Sequence, residues 1–284
     1  MIDLSLLPPP ELIESLDFET IYSARKARFL ASWPPEQQPE VAARLELESE
    51  PMVKLLQENS YQELLLRQRV NDAARAVLFP HSSDTDLDNL VAFFDVQRLP
   101  GELDSALRER AMLSLHSLSV AGPANAYRFH ALSAHADVLD ASAIRPTPGT
   151  VRVTVLPKLD RETTDDALLA AVDAALNAED VRPLNDTVDV RPAEPFGYQI
   201  EAKLEIQGNL PADIPLKAAH DALASYAAEQ YRLGGSIRLS AIYAALHQPG
   251  VGYAKLIEPT QDIILDKTAA PHCLYIDVQT GSGQ

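Results

Sequence analysis

Asp72-Ala-Ala-Arg-Ala-Val-Leu78, Asp84-Thr-Asp-Leu-Asp-Asn-Leu90, Val96-Gln-Arg98, Ala121-Gly-Pro-Ala-Asn-Ala-Tyr127 and Ala136-Asp-Val138 follow one another between Asp72 and Val138. In order they read as a helix end, an acidic turn, an apolar helix and a Gly-Pro break. No nucleophile, phosphate loop or metal cluster stands out in the stretch. Working outward, Tyr61-Gln-Glu-Leu-Leu-Leu-Arg-Gln-Arg-Val-Asn-Asp-Ala-Ala74 precedes it and Val181-Arg-Pro-Leu-Asn-Asp-Thr-Val-Asp-Val190 follows it.

Taken together, these segments resemble the baseplate J-like protein family of contractile phage tails and R-type bacteriocins. Its members carry a Leu-Asp-x-Leu-Ala turn, an Ala-Gly-x-x-x-x-Tyr break and a trailing Asp-Val. Two departures are local: Pro80-His-Ser-Ser stands where small residues and Gly are usual, and Val91 replaces the Ala after Asn89-Leu90. The resemblance implies a structural part of a baseplate wedge that links wedges into a six-fold ring around the hub and relays the contraction trigger to the sheath. It also implies a homodimer within the wedge, contacts with a tail protein I-like subunit and a lysozyme-like-fold wedge protein, and contacts with neighbouring wedges and the sheath. Such a protein is expected to be made in the bacterial cytoplasm and built into a tail baseplate. It would need no catalytic residue, cofactor or metal.

The chain has 284 residues, 46 % of them apolar, enough for one large core or two to three small ones. Its net charge of −17 repels phosphate backbones and anionic head groups, which argues against nucleic-acid and membrane partners. Cys273 is the only cysteine, so no intrachain disulfide forms, and its neighbour His272 has no third group placed to make a reactive thiolate. Near the N-terminus, Met1 to Pro10 lacks Lys and Arg, and no stretch is apolar for long enough to span a bilayer.

The fold expected is α+β, a helical N-terminal half followed by two small α/β modules. The divisions are residues 1–50 for an N-terminal arm and helix, 51–145 for a helical domain, 146–208 for one module and 209–284 for the other. Residues 8 to 30 read as an amphipathic helix on Leu12, Leu16, Phe18, Ile21 and Tyr22, broken by Pro34, Pro35 and Pro39. Two readings of it stay open: an arm lying on a neighbour, or a helix on its own core. From Pro51 to Leu78 runs the longest helical signal. Its consecutive Leu64, Leu65 and Leu66 spread over roughly 200° of the helix, so cover on two sides is expected. Leu56, Leu64, Leu65 and Leu66 are the candidate interface residues, either buried in their own domain or shared with a partner bundle.

Asp84, Asp86 and Asp88 imitate a calcium loop, but Asn89 and Asp95 occupy the positions where Gly and Glu are needed, which leaves a capped helix start. Helices are expected over Leu103–Leu118 and Ala124–Leu139. His130 and His135 are five apart, off the four-residue spacing of a zinc pair. Val151, Val153 and Val155 alternate as a strand, Thr163 to Asn177 reads as a helix with Thr163 and Asp166 at capping-box spacing, and Val188 and Val190 mark a short strand. Tyr198 to Ile206 alternates cleanly and is placed with them in the first module. In the second, Leu216, Ala219, Leu223 and Tyr226 define a helix stopped by Gly234-Gly235, and Ser240 caps a short helix to His247. Val251–Glu258 and Leu274–Val278 are strands, the latter presenting Leu274, Ile276 and Val278 on one side.

Two other functions compete. A transient baseplate assembly factor shares every feature. A cell-wall hydrolase would use carboxylates such as Asp165 with Asp166 or Glu179 with Asp180, but catalytic acids must converge across a cleft that no pattern here marks.

Overall fold

The computed structural model describes residues 14–119, 122–161, 163–207 and 211–281, and these divide into two units, Met1–Phe93 and Phe94–Gln284. In the first unit Asp17 starts α1 (Phe18–Ala31) by accepting the Glu19 N–H at 3.1 Å. The expected helix from residue 8 therefore begins at Phe18, and Leu12 lies outside the described residues. Pro39 does not break the chain. It sits in the first turn of α2 (Gln38–Arg44), where its missing N–H costs nothing.

Proline serves the same purpose at Pro51, the first residue of α3 (Pro51–Ala76), whose 26 residues extend about 39 Å. One side of α3 is closed. Val53 and Leu56 join Val41 and Leu45 in a core to which Tyr22, Phe29, Leu30 and Trp33 contribute. Farther along, the hold becomes polar: Arg25 pairs with Glu63, which Arg67 also reaches at 2.7 Å. The Asn71 amide then grips the Glu14 peptide from both ends, accepting its N–H at 2.8 Å and donating to its carbonyl at 2.9 Å. After α3, α4 (Asp84–Val91) buries Leu87 and Val91 completely. Its cap position is Ser83, and Asp84 takes a φ of +49°.

The second unit opens with α5 (Asp104–Ser117) and α6 (Ala124–Ala134). The helix expected to Leu139 stops at Ala134, because His135 is extended and Val138 begins a strand. That strand, β1 (Val138–Thr147), turns at Gly149 (φ +78°) into antiparallel β2 (Thr150–Pro157). From β2 the chain crosses through α7 (Asp165–Leu176) to β3 (Thr187–Pro192), which pairs parallel with β2. Thr164, not Thr163, is the residue before α7, and the helix buries Leu168, Val172 and Leu176 on the side its spacing indicates.

Only Ala193 separates β3 from β4 (Glu194–Ile206), yet the two lie in different sheets. The Ala193 N–H donates to Val155 in the first sheet at 2.9 Å, and the Glu194 N–H donates to Thr268 beyond it at 3.0 Å. Thus β4, expected in the first module, is the centre of the second sheet, between antiparallel β6 (Val251–Glu258) and parallel β8 (Ala269–Thr280). Between β4 and β6 come α8 (Asp213–Gln230), β5 (Ser236–Ile237) and α9 (Leu239–Leu246), and β7 (Ile263–Ile264) pairs with β5. Ile200, Leu204, Leu223, Ile237, Ile242 and Leu246 form the fully buried centre. The fold is α+β, with the helices leading and each larger sheet backed by its own helix.

Three local expectations are corrected. Helix α8 ends at Gln230, before Gly234-Gly235, and Gly234 (φ +69°) instead turns the chain so that its N–H meets Ala269 at 3.0 Å. The start of α9 is capped from a distance, by Asp262 accepting the Leu239 N–H at 2.9 Å, and not by Ser240. A register shift between Tyr198 and Gln199 lets β8 bulge at Leu274, leaving it 62 % exposed while Cys273 joins Ile276 and Val278 against the core.

Candidate functional site

Two places concentrate residues that the sequence singles out. The first joins two of the quoted motifs. Gly122, at φ +61°, leads into α6, and a Cβ there would lie 2.9 Å from Pro183 Cγ and 3.4 Å from the Tyr127 ring. Tyr127, just over one turn beyond the N-cap Pro123 of α6, donates its hydroxyl to Asp186 Oδ2 at 2.6 Å. The Gly-to-Tyr break and the Val181–Val190 segment therefore close on one another. Burial, and then the Asp186 carboxylate, pushes the Tyr127 phenol above its ordinary pKa, so it acts as a fixed donor.

Beside this brace lies a cleft of about 240 Å³ lined by Ser117, Tyr127, His130, Asp180 and Arg182 among others. Burial holds the His130 imidazole below its ordinary pKa, opposed by the Asp180 carboxylate. Asp165 is engaged by Arg161 at the start of α7, which is the behaviour of a helix-start carboxylate. His135 accepts the Asp137 N–H at 3.1 Å, while His116 faces the Asn125 amide at 3.3 Å. Burial raises the Cys273 thiol, the opposite of activation.

Glu102 and Arg110 form a second, wholly structural constellation. Their side chains are 9 % and 5 % exposed and meet bidentately, Nε to Oε1 at 2.8 Å and Nη2 to Oε2 at 2.7 Å. Glu102 also accepts the Leu99 N–H at 2.9 Å, and Arg110 reaches Ser133 on α6 at 3.3 Å, so the pair ties the turn before α5 to both helices.

The second place is the outward side of α3. Of the four candidate leucines, Leu56 belongs to the core of its own unit and Leu64 is half-buried, whereas Leu65 and Leu66 are 39 % and 59 % exposed. Cover on two sides is expected from the girth of the three leucines; among the described residues of this unit it is present on one side alone. Around them Leu55, Tyr61, Val70 and Val77 are exposed too, residues that a run of consecutive leucines does not single out. Their signal was available, since Leu55, Leu66, Val70 and Val77 share one helical stripe. In the cleft the Ser117 hydroxyl donates to the Ser114 carbonyl at 2.7 Å, within its own helix. What both offer is a rigid brace and an uncovered apolar helix face. Among the described residues, no group of three or more His, Cys, Asp or Glu is placed to hold a metal ion, and no helix is long and apolar enough to cross a membrane.

Comparison with known proteins gives three matches. Residues 48–100 match the baseplate J-like N-terminal domain, and residues 119–192 match the baseplate J-like central domain. The chain is also 43 % identical over 297 aligned residues to baseplate protein J of Escherichia phage P2, spanning 99 % of this chain and 98 % of that one.

Proposed function

The chain belongs to the baseplate J-like protein family, and on that premise we propose that it is a structural component of a contractile tail baseplate wedge. In this reading it links neighbouring wedges into a six-fold ring around the hub and passes the contraction trigger to the sheath. It dimerises within the wedge, and its other partners are a tail protein I-like subunit and a lysozyme-like-fold wedge protein. It is made in the bacterial cytoplasm and ends in the tail of a phage or bacteriocin particle, with no catalysis of its own.

The observation that carries the reading is 43 % identity to a phage baseplate protein across 99 % of this chain and 98 % of that one. The geometry supports it in kind. A ring component transmits force through stiff elements and meets its neighbours through surfaces left open. The Tyr127–Asp186 brace and the buried Glu102–Arg110 pair supply stiffness, and Leu65, Leu66 and the apolar residues around them on α3 supply an open surface. Intact particles purified from a producing host are expected to contain a 31.0 kDa band of this chain, and a host lacking it is expected to yield no complete tails. A chain required for assembly yet missing from the mature particle would instead be a transient assembly factor, and turnover of peptidoglycan by the pure protein would overturn the non-catalytic reading.

A further inference from the structure

The exposed face of α3 carries a run that is complementary to itself when reversed. Lys54, Glu58, Tyr61, Leu65, Arg69 and Asp72 are all exposed, and their spacings of four, three, four, four and three residues keep them within a sector of about 80°. Read forward the run is positive, negative, apolar, apolar, positive, negative. Read backward it is negative, positive, apolar, apolar, negative, positive.

A two-fold interface has this property, because residue i meets j wherever j meets i. We propose that α3 pairs with α3 of a second copy of this chain, antiparallel, across a two-fold axis passing near position 63. Lys54 then meets Asp72, Glu58 meets Arg69 and Tyr61 meets Leu65, each twice, along about 27 Å of helix. Beside this run Leu55 comes opposite Ala73, and Leu66 opposite Tyr61 and Gln62, all exposed in the single chain. A parallel, in-register pair would set Lys54 on Lys54, Glu58 on Glu58 and Arg69 on Arg69, so charge selects the antiparallel arrangement.

Among the described residues, Lys54, Glu58, Arg69 and Asp72 take part in no ion pair, although Lys54 stands four residues before Glu58. Glu58 accepts only the Gln62 amide, at 2.9 Å. Glu63 and Arg67, by contrast, are turned inward and bound to Arg25 and Glu14. The proposal deepens the homodimer stated above and rests on it.

The test uses the full chain in sedimentation equilibrium at low salt. Wild type is expected to be dimeric at roughly 100 µM, a modest interface of this kind. Glu58→Arg and Arg69→Glu each turn two attractions into two repulsions, and each is expected to weaken the dimer by about tenfold or more. An equal mixture of the two variants is expected to dimerise as wild type does, since every introduced charge then meets its opposite, and the double variant E58R/R69E is expected to do the same. Recovery in the mixture also shows that neither variant failed to fold. A monomeric wild type, single variants that dimerise normally, or a mixture no tighter than its components would each overturn the proposal. A chain found in mature particles but monomeric in solution removes this pairing and leaves the baseplate role intact, whereas a pairing chain absent from particles does the reverse.

Discussion

Gly122 is the residue where backbone and side-chain demands coincide. Its φ of +61° disfavours any L side chain, and the space a Cβ would need is taken by Pro183 and approached by Asp186 Oδ2 at 3.3 Å. Gly122→Ala is therefore expected to destabilise the protein by about 2 to 4 kcal/mol in urea unfolding, the sum of a strained φ and an overpacked contact. Tyr127→Phe keeps the ring and loses one hydrogen bond to a carboxylate, so its cost should be smaller, about 1 to 2 kcal/mol. If the order were reversed, the Tyr127–Asp186 hydrogen bond and not the glycine would set the geometry. Both motif segments were visible in the chain as separate runs, but nothing in them could show that they touch, because Tyr127 and Asp186 are brought together by the fold and not by local spacing.

At the scale of single elements, helix positions were legible where apolar spacing was strong, as in α3 and α7, and their ends were not. The reason is visible in α9, whose start depends on Asp262, more than twenty residues later in the chain. Asp262 is held below the ordinary aspartate range first by its hydrogen bond from Arg238 and then by the Leu239 N–H. A carboxylate with a depressed folded-state pKa stabilises the fold above its unfolded pKa and ceases to do so as pH falls through the folded value. The Leu239 amide is accordingly expected to report, by NMR shift and faster exchange, a titration whose midpoint lies under 3.8, and Asp262→Asn should abolish that titration. The turn before α5 depends on a buried pair. Arg110→Ala leaves Glu102 charged and enclosed and is expected to cost about 3 to 5 kcal/mol, while E102A/R110A should cost less than the two single losses added, a coupling that a double-mutant cycle measures.

For the molecule as a whole, composition and period revealed an α+β chain, yet they assigned β4 to the wrong sheet. Alternation of Tyr198, Ile200, Ala202 and Leu204 identifies which face of a strand is buried but carries no information about which strands lie beside it. The uncovered side of α3 was only half legible for a similar reason, since three adjacent leucines tell of girth and not of which side the chain itself will cover. With only Ala193 between β3 and β4, the two sheets of the second unit must be held by contacts away from that joint. Asp140 on β1 makes one of them. It receives Arg128 of α6 at 3.1 Å on one oxygen and the Leu233 N–H, just past α8, at 3.1 Å on the other. Ser142 to the Lys267 carbonyl and Tyr231 to the Pro157 carbonyl at 3.3 Å lie on either side. Asp140→Ala removes the shared acceptor and leaves the half-buried Arg128 with Glu109 alone, so a loss of about 2 to 3 kcal/mol is expected. Because the lost contact to Leu233 joins the two cores instead of filling either, the second unit should pass from one calorimetric transition to two, with the sheet of β4, β6 and β8 separating from that of β1, β2 and β3. A variant that melts in one step at the wild-type temperature would mean that the strand joint at Ala193 couples the sheets by itself.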